Sequence, residues 1–115
     1  MVENCIFCQI ISGQTSADVV YRDEAVTAFR DQKPAAPVHL LIIPNRHVTS
    51  LNDITPEDEA MLGRVMLVAR RLAEQNNVSQ SGYRLLVNSG PDAGQTIFHL
   101  HFHLMGGERL PKIHH

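Results

Sequence analysis

The sequence predicts an α+β fold in which an antiparallel sheet of about five strands packs with one long helix and a short N-terminal helix. Three observations support this prediction. One segment beginning near residue 55 has apolar residues at helical spacing, whereas several shorter runs alternate or are rich in β-branched and aromatic residues. Most of the connections between these runs are short, as is typical of antiparallel sheets.

The two helices are predicted from their ends as well as from their periodicity. Thr55 is a suitable N-cap, Pro56 suits the first helical position, and acidic residues follow in the first turn. The apolar periodicity continues to about Asn76, where we expect the long helix to end. A short helix over residues 6–12 is expected to stop at Gly13, because glycine readily adopts the left-handed conformation that terminates helices.

The predicted strands are separated by turn-forming residues. They span residues 19–21, 25–29, 39–43, 83–87 and 98–105. The first two are joined by a probable hairpin turn at residues 22–24. The third is an unbroken apolar run after its first residue, which predicts burial on both faces of the sheet, and Pro44 follows it.

Size and composition predict one soluble domain over residues 1–115. The chain is 43 % hydrophobic and 19 % charged, with a formal net charge of −2. This charge argues against electrostatically driven binding to nucleic acid or to a membrane. We found no secretory signal and no apolar run long enough to span a membrane, so we expect a cytoplasmic protein.

The most informative motif is a row of histidines at His99, His101 and His103, separated by large apolar residues. On a strand, these three imidazoles would project from one face while the intervening residues pack on the other. The Cα atoms of the outer two histidines would lie about 13 Å apart on a straight strand. All three therefore cannot readily bind one zinc ion, and the row either lines an elongated substrate or divides between a metal and a substrate.

A glycine-containing loop precedes this row. Gly90, Gly94, Gln95 and Thr96 are expected to expose backbone N–H groups near the histidines. Such concave arrangements bind phosphate. The loop by itself is typical of an ordinary glycine-rich turn, but its position next to the histidine row favours a phosphate site.

The assembled motifs resemble the histidine triad (HIT) superfamily, and within it the Hint branch. The signature of alternating histidine and apolar residues is matched without exception by residues 99–105. The resemblance continues, in the same order, through residues 5–11, 28–31, 37–39, 43–47, 87–90 and 94–96. It covers about residues 4 to 107 and implies the HIT fold.

The resemblance implies roles for individual residues. The catalytic residues would be His101 as the nucleophile, His103 and His39 as donors to the phosphate oxygens, and Thr96 near the phosphate and leaving group. The nucleotide-binding residues would be Phe7 and Ile10 at the base, Asp31 at the ribose, and Asn88, Gly94, Gln95, Thr96, His101 and His103 at the phosphate. Without the resemblance, His39 would be interpreted as a buried core histidine and Asp31 as a turn residue.

Cys5 and Cys8 have the spacing of metal ligands, but a single pair of this kind is ambiguous. The residues alone leave open a redox pair, two free thiols, or part of a zinc site. The resemblance to bacterial members of the family implies that His47 and His99 complete a structural zinc site. No organic cofactor is expected.

The resemblance also implies the reaction. We expect a hydrolase of purine nucleoside phosphoramidates or adenylylated amines, which releases AMP or GMP through a nucleotidyl-histidine intermediate. The alternatives are a dinucleoside polyphosphate hydrolase and a non-catalytic purine nucleotide-binding or scaffold protein. A homodimer is expected, with the long helix and one strand of each protomer at the two-fold interface.

Overall fold

The computed structural model describes residue 2 and residues 4–113. The helices are α1 (Ile6–Ser12) and α2 (Glu59–Gln75), and the strands are β1 (Val19–Arg22), β2 (Val26–Arg30), β3 (Val38–Pro44), β4 (Tyr83–Val87) and β5 (Phe102–Gly106). Short 3-10 turns precede α2 and lie between β4 and β5. Among the described residues, no helix is sufficiently long and apolar to cross a membrane.

The five strands form one antiparallel sheet in the order β1-β2-β3-β5-β4. The central pair, β3 and β5, brings His39 opposite Met105 and Leu41 opposite His103. On the other side of β5, Val87 of β4 pairs with Phe102. The predicted α+β fold is confirmed, and the crossover places β5, which contains His103, between β3 and β4 in the interior of the sheet.

Alternation along β3 divides the core into two clusters. Leu40 and Ile42 face the cluster that contains α2, whereas Leu41 and Ile43 face the cluster that contains α1. All four are buried, as the unbroken apolar run predicts. The histidine row follows the same division, because Leu100 and its alternating apolar partners belong to the α2 cluster and leave the imidazoles on the α1 side.

The ends of both helices follow the predicted chemistry. The Thr55 hydroxyl accepts a hydrogen bond from the Glu57 N–H, and the Asp58 carboxylate accepts one from the Thr55 N–H, so the 3-10 turn that leads into α2 is capped at both positions. Helix α1 ends at Gly13, whose φ of 85° is left-handed. This termination keeps α1 short, and its buried residues face the sheet beside the histidine row.

The extent of the histidine strand differs from the prediction of residues 98–105. Strand β5 begins only at Phe102, because the preceding backbone is held by other partners. The Leu100 N–H donates to the Val48 carbonyl at 2.6 Å instead of joining the β3 ladder. His99 and His101 therefore lie in a bent segment before the strand, and only His103 lies on it.

Candidate active site

A cavity of about 520 Å³ lies between α1, one end of the sheet and the histidine row. Six of the predicted site residues line it: Phe7, Ile10, Asp31, Thr96, His101 and His103. Its apolar end is formed by α1 together with side chains that β2 and β3 direct towards the α1 cluster. The cavity therefore has an apolar end for a ring and a polar end with imidazoles and a carboxylate.

Phe7 is the contact between the apolar wall and the histidines. Its ring makes edge-to-face contacts with Phe29 at 5.4 Å, with His101 at 5.2 Å and with His99 at 5.9 Å between centroids. The side chain is buried because α1 places it against the sheet. Phe7 thus restricts the His101 ring from one side.

His101 has a fixed tautomer. Its Nδ1 lies 2.7 Å from the His99 carbonyl oxygen, which can only accept, so Nδ1 carries the proton and donates it. In the neutral ring, Nε2 then has a free lone pair. The ring is 8 % exposed and lines the cavity, so a nucleophilic nitrogen is presented in a largely desolvated place.

His39 and His103 form a directed chain of hydrogen bonds. The Ala35 N–H donates to His39 Nδ1 at 2.9 Å, so neutral His39 carries its proton on Nε2. That Nε2–H donates to His103 Nδ1, also at 2.9 Å. Neutral His103 therefore carries its own proton on Nε2, which is left as a donor on the opposite side of the ring.

This chain places His39 against His103. Both ring nitrogens of His39 are used inside the protein, and the residue does not line the cavity. His39 is buried on β3, where it lies opposite Met105. His39 orients His103 through this hydrogen bond, and its own contact with a phosphate stays a prediction.

Burial and, to a smaller extent, the neighbouring imidazoles of His101 and His39 together lower the pKa of His103 to about 4, while Asp31 opposes the shift. His103 is therefore neutral at pH 7. The Asp31 carboxylate accepts from the Lys33 backbone N–H at 2.8 Å and lies 3.4 Å from His39 Nε2. Each of its oxygens has a second lone pair, so it can still accept hydrogen bonds from hydroxyl groups in the cavity.

The loop before the histidine row is organised differently from the predicted phosphate nest. The Gly94 N–H donates to the Pro91 carbonyl, and the Gln95 N–H donates to the Gly90 carbonyl. The buried Gln95 side chain accepts from the Gly90 N–H and donates to the Thr49 and Ile97 carbonyls. These backbone donors are satisfied inside the loop, so Gly94 and Gln95 shape it and leave Thr96 at the cavity wall.

Asn88 lies at the same end of the sheet as these groups. It directly follows Val87, whose pairing with Phe102 is the last in the β4–β5 ladder. Asn88 is half-buried and does not line the cavity. Its contact with a phosphate stays a prediction.

A second cluster, the thiol–imidazole cluster, consists of Cys5, Cys8, His47 and His99, whose candidate ligand atoms all lie within 4.8 Å of one another. His99 Nδ1 lies 3.3 Å from Cys5 Sγ and 3.6 Å from Cys8 Sγ, and His47 Nδ1 lies 3.3 Å from Cys8 Sγ. Both cysteines are buried and free. The histidine row is thus divided between this cluster and the cavity, which is one of the two arrangements that the strand geometry left open.

The donor set of this cluster fits a tetrahedral metal ion. The Pro44 carbonyl, 2.8 Å from His99 Nε2, can only accept, so the ring proton lies on Nε2. The Nδ1 lone pair is therefore directed to the two sulfurs. A backbone carbonyl that fixes the tautomer in this way is the usual outer partner of a metal-binding histidine. Burial lowers the pKa of His99 to about 4, which keeps that lone pair available at pH 7.

Several residues of the cavity were missed by the sequence analysis. They are Ile6, Thr15, Ser16, Ala17, Phe29, Arg30, Gln32, Lys33, Leu41 and Ile97. Phe29 and Leu41 face each other across β2 and β3, and both belong to the α1 cluster, so the alternation of these strands could have identified them. The loop residues carry no comparable periodic pattern.

Comparisons with known proteins agree with this geometry. A family model described as the HIT domain matches residues 12–110. The chain belongs to the HIT family. It is 46 % identical to the purine nucleoside phosphoramidase of Escherichia coli, over 100 % of this chain and 98 % of that protein.

Solved structures extend this finding. A HIT family hydrolase from Clostridium thermocellum has a TM-score of 0.95 and 44 % identity, with 98 % of this chain and 99 % of that chain covered. A HIT family hydrolase from Legionella pneumophila has a TM-score of 0.92 and 42 % identity, with 94 % and 96 % covered. The expected HIT fold and the assignment to the HIT-family hydrolases are confirmed.

Proposed function

We propose that this HIT-family hydrolase cleaves purine nucleoside phosphoramidates or adenylylated amines at the α-phosphate and releases AMP or GMP. The observation that carries the proposal is the fixed tautomer of His101, whose Nε2 lone pair is available at the polar end of a cavity with an apolar wall. The name of the E. coli relative supports the choice of substrate class.

The proposed reaction has two displacements at phosphorus. In the first, the lone pair of His101 Nε2 forms a bond to the α-phosphorus, while the bond to the amine nitrogen breaks and that nitrogen takes up a proton as it leaves. In the second, water attacks the phosphorus, gives up a proton, and returns the electron pair to Nε2. The positive charge on the intermediate imidazole is stabilised by the Nδ1–H bond to the His99 carbonyl.

The other residues would bind and orient the nucleotide. His103 Nε2–H would donate to a phosphate oxygen on which negative charge increases in the transition state, and Thr96 would donate from the loop. Asp31 would accept from the ribose hydroxyls, and Phe7 with Ile10 would contact the purine ring. Gly94 and Gln95 would act through the shape of the loop, and Asn88 would hold the phosphate end.

The test compares kcat/KM for adenosine 5′-phosphoramidate with kcat/KM for a dinucleoside polyphosphate. The proposal predicts that the phosphoramidate is the better substrate and that His101→Ala lowers its kcat by about 10⁴-fold or more. AMP should still bind to this variant, because the wall and the ribose site are unchanged. A wild-type rate in His101→Ala would contradict the mechanism, and preference for the polyphosphate would contradict the substrate class.

We also propose that the thiol–imidazole cluster binds a structural zinc ion. Two thiolates and two imidazoles make up a complete tetrahedral set, which leaves no position for substrate. The ion would attach the N-terminal end of α1 to the segment before β5. Elemental analysis of protein purified without chelator tests this proposal, and about one zinc per chain is the expected result.

A homodimer is proposed from two exposed regions. Met66 and Leu67 on α2 are 52 % and 64 % exposed, and β4, which includes the exposed Tyr83, is an edge strand of the sheet. Pairing of this edge with a second copy would cover unpaired backbone groups. Analytical ultracentrifugation of the wild type and of Leu67→Glu distinguishes a dimer from a monomer.

A further inference from the structure

One peptide group connects the two sites. The peptide unit between His99 and Leu100 carries the carbonyl that accepts from His101 Nδ1 at 2.7 Å. It also carries the Leu100 N–H, which donates to the Val48 carbonyl at 2.6 Å. Because a peptide unit is planar, its two ends cannot rotate independently. The direction of the His99 carbonyl is therefore set by Val48 on one side and by the position of His99 on the other.

The position of His99 is in turn set by its ring. Nε2 donates to the Pro44 carbonyl at 2.8 Å, and Nδ1 faces the sulfurs of Cys5 and Cys8. The residue is fully buried, and its neighbour Leu100 is fully buried on the opposite face of the sheet. Both faces of this dipeptide are consequently fixed by packing and by directed contacts.

The partners of this dipeptide come from the end of β3 and the loop that follows it. Pro44 and Val48 supply the two carbonyls, and His47 lies between them in sequence and belongs to the thiol–imidazole cluster. The rings of His47 and His99 are in edge-to-face contact at 4.8 Å. A metal ion bound by both rings would fix this loop relative to the peptide unit that holds His101.

We propose that His99 is a positioning residue through which occupancy of the thiol–imidazole cluster sets the orientation and tautomer of the His101 ring. The proposal rests on the proposed function, because it takes His101 as the nucleophile. Zinc would then affect the chemical step as well as the stability of the fold. Loss of the ion frees His47, lets Val48 and the peptide unit tilt, and weakens the bond that keeps the proton on His101 Nδ1.

The experiment uses variants of His47, which lies in the cluster and does not contact His101. His47→Ala removes one ligand, and His47→Cys replaces it with another zinc ligand. Val68→Ala is the matched control, since it destabilises the buried face of α2 in the other core cluster and touches neither site. Zinc content, Tm, kcat, the Kd for AMP and the ring ¹⁵N shifts of His101 at pH 7 are measured for each protein.

The proposal predicts that His47→Ala loses zinc and that its kcat falls by about 10- to 100-fold, while the Kd for AMP changes little. The His101 ¹⁵N shifts should change from a single Nδ1–H tautomer to a mixture. His47→Cys with added Zn²⁺ should restore both the rate and the single tautomer. Val68→Ala should lower Tm but leave kcat and the tautomer as in the wild type.

Wild-type kcat and a single Nδ1–H tautomer in zinc-free His47→Ala would overturn the proposal. If that variant does not fold, the same two measurements on wild-type protein before and after removal of zinc by a chelator decide the question. A wild type that contains zinc but does not turn over phosphoramidates would instead contradict the proposed function. The two failures are therefore distinguishable.

Discussion

His99 and His101 are two residues apart, yet their surroundings differ almost completely. His99 is fully buried, with one ring nitrogen on a backbone carbonyl and the other beside two sulfurs. His101 has one ring nitrogen on a backbone carbonyl and the other available to a cavity. The same side chain is thus suited to metal binding in one place and, in the proposed mechanism, to attack on phosphorus in the other. The difference arises because the neighbouring elements supply a carbonyl and two thiols to the His99 ring, but a carbonyl and an open cavity to the His101 ring.

In both rings, a carbonyl oxygen selects the tautomer. The Pro44 carbonyl leaves Nδ1 of His99 free, whereas the His99 carbonyl leaves Nε2 of His101 free. This opposite choice directs one lone pair to the sulfurs and makes the other available to the substrate cavity. Variants that affect one site without the other are therefore the sharpest means of testing the comparison.

The largest expected effect on stability is that of Cys8→Ser. Loss of a zinc ion present at 100 to 1,000 times its Kd costs about 2.7–4.1 kcal/mol, which lowers Tm by roughly 10–20 °C. His101→Ala should retain its zinc and most of its Tm, although it loses turnover. Calorimetry with elemental analysis measures both quantities. An unchanged Tm in zinc-free Cys8→Ser would show that the cluster is not structural.

His39→Ala is expected to lower kcat by about 10- to 100-fold without a comparable loss of affinity for AMP. The reason is that His39 fixes His103 through its Nε2–H and does not line the cavity. Steady-state kinetics with an AMP titration measure the two effects. A weakened Kd at constant kcat would mean that His39 binds the phosphate directly.

The sequence predicted the elements and most of the site, but it did not predict the contacts that assign each histidine its role. The end of α1 could be predicted because Gly13 readily adopts the left-handed conformation, and the start of the long helix because Thr55 is a good N-cap. The predicted cavity residues came from the family motifs. The resemblance implies a backbone carbonyl beside His101, but it could not be predicted that Pro44, Val48 and His99 supply these carbonyls, because any residue supplies the same group and only the topology decides where it lies.

Local bonding also explains the two errors. Strand β5 begins at Phe102 because the Leu100 N–H donates to the Val48 carbonyl. The two residues are far apart in sequence, so the apolar periodicity does not predict this bond. The expected N–H donors of Gly94 and Gln95 are used inside their loop. In both cases, the local sequence pattern did not show that these backbone N–H groups would be used by other carbonyls of the chain.

Asp31→Asn should weaken the binding of AMP by about tenfold, because an amide offers one accepting oxygen where a carboxylate offers two. AMP that lacks both ribose hydroxyls, 2′,3′-dideoxyadenosine monophosphate, is the matched control ligand and should bind equally to both proteins. Isothermal titration calorimetry measures the four affinities. If the variant binds both ligands more weakly by the same factor, Asp31 does not bind the ribose hydroxyls.

The smallest effect concerns the pH dependence of stability. The pKa of His103 is about 4 in the folded protein and 6.5 in the reference state, so the unfolded chain takes up a proton first as the pH falls. Stability is therefore lost between pH 6.5 and pH 4, and because His103 is partly exposed, solvent screening keeps its contribution below the limit of about 1.4 kcal/mol per pH unit. Urea unfolding at several pH values measures the slope.

His103→Gln should reduce that slope, because glutamine does not titrate, while His99, whose pKa is also lowered to about 4, keeps its share. Val68→Ala should lower the free energy of unfolding at every pH but keep the wild-type slope, which makes it the control. An identical slope in His103→Gln and the wild type would contradict the burial of a neutral imidazole at this position.

The central claim is that phosphorus is transferred to His101, and quenched-flow mass spectrometry of the wild type with adenosine 5′-phosphoramidate tests it most directly. We predict an AMP adduct on the peptide that contains His101, formed within one turnover and lost at a rate consistent with kcat. An adduct on another histidine, or full turnover with no adduct at any time before the steady state, would contradict the mechanism.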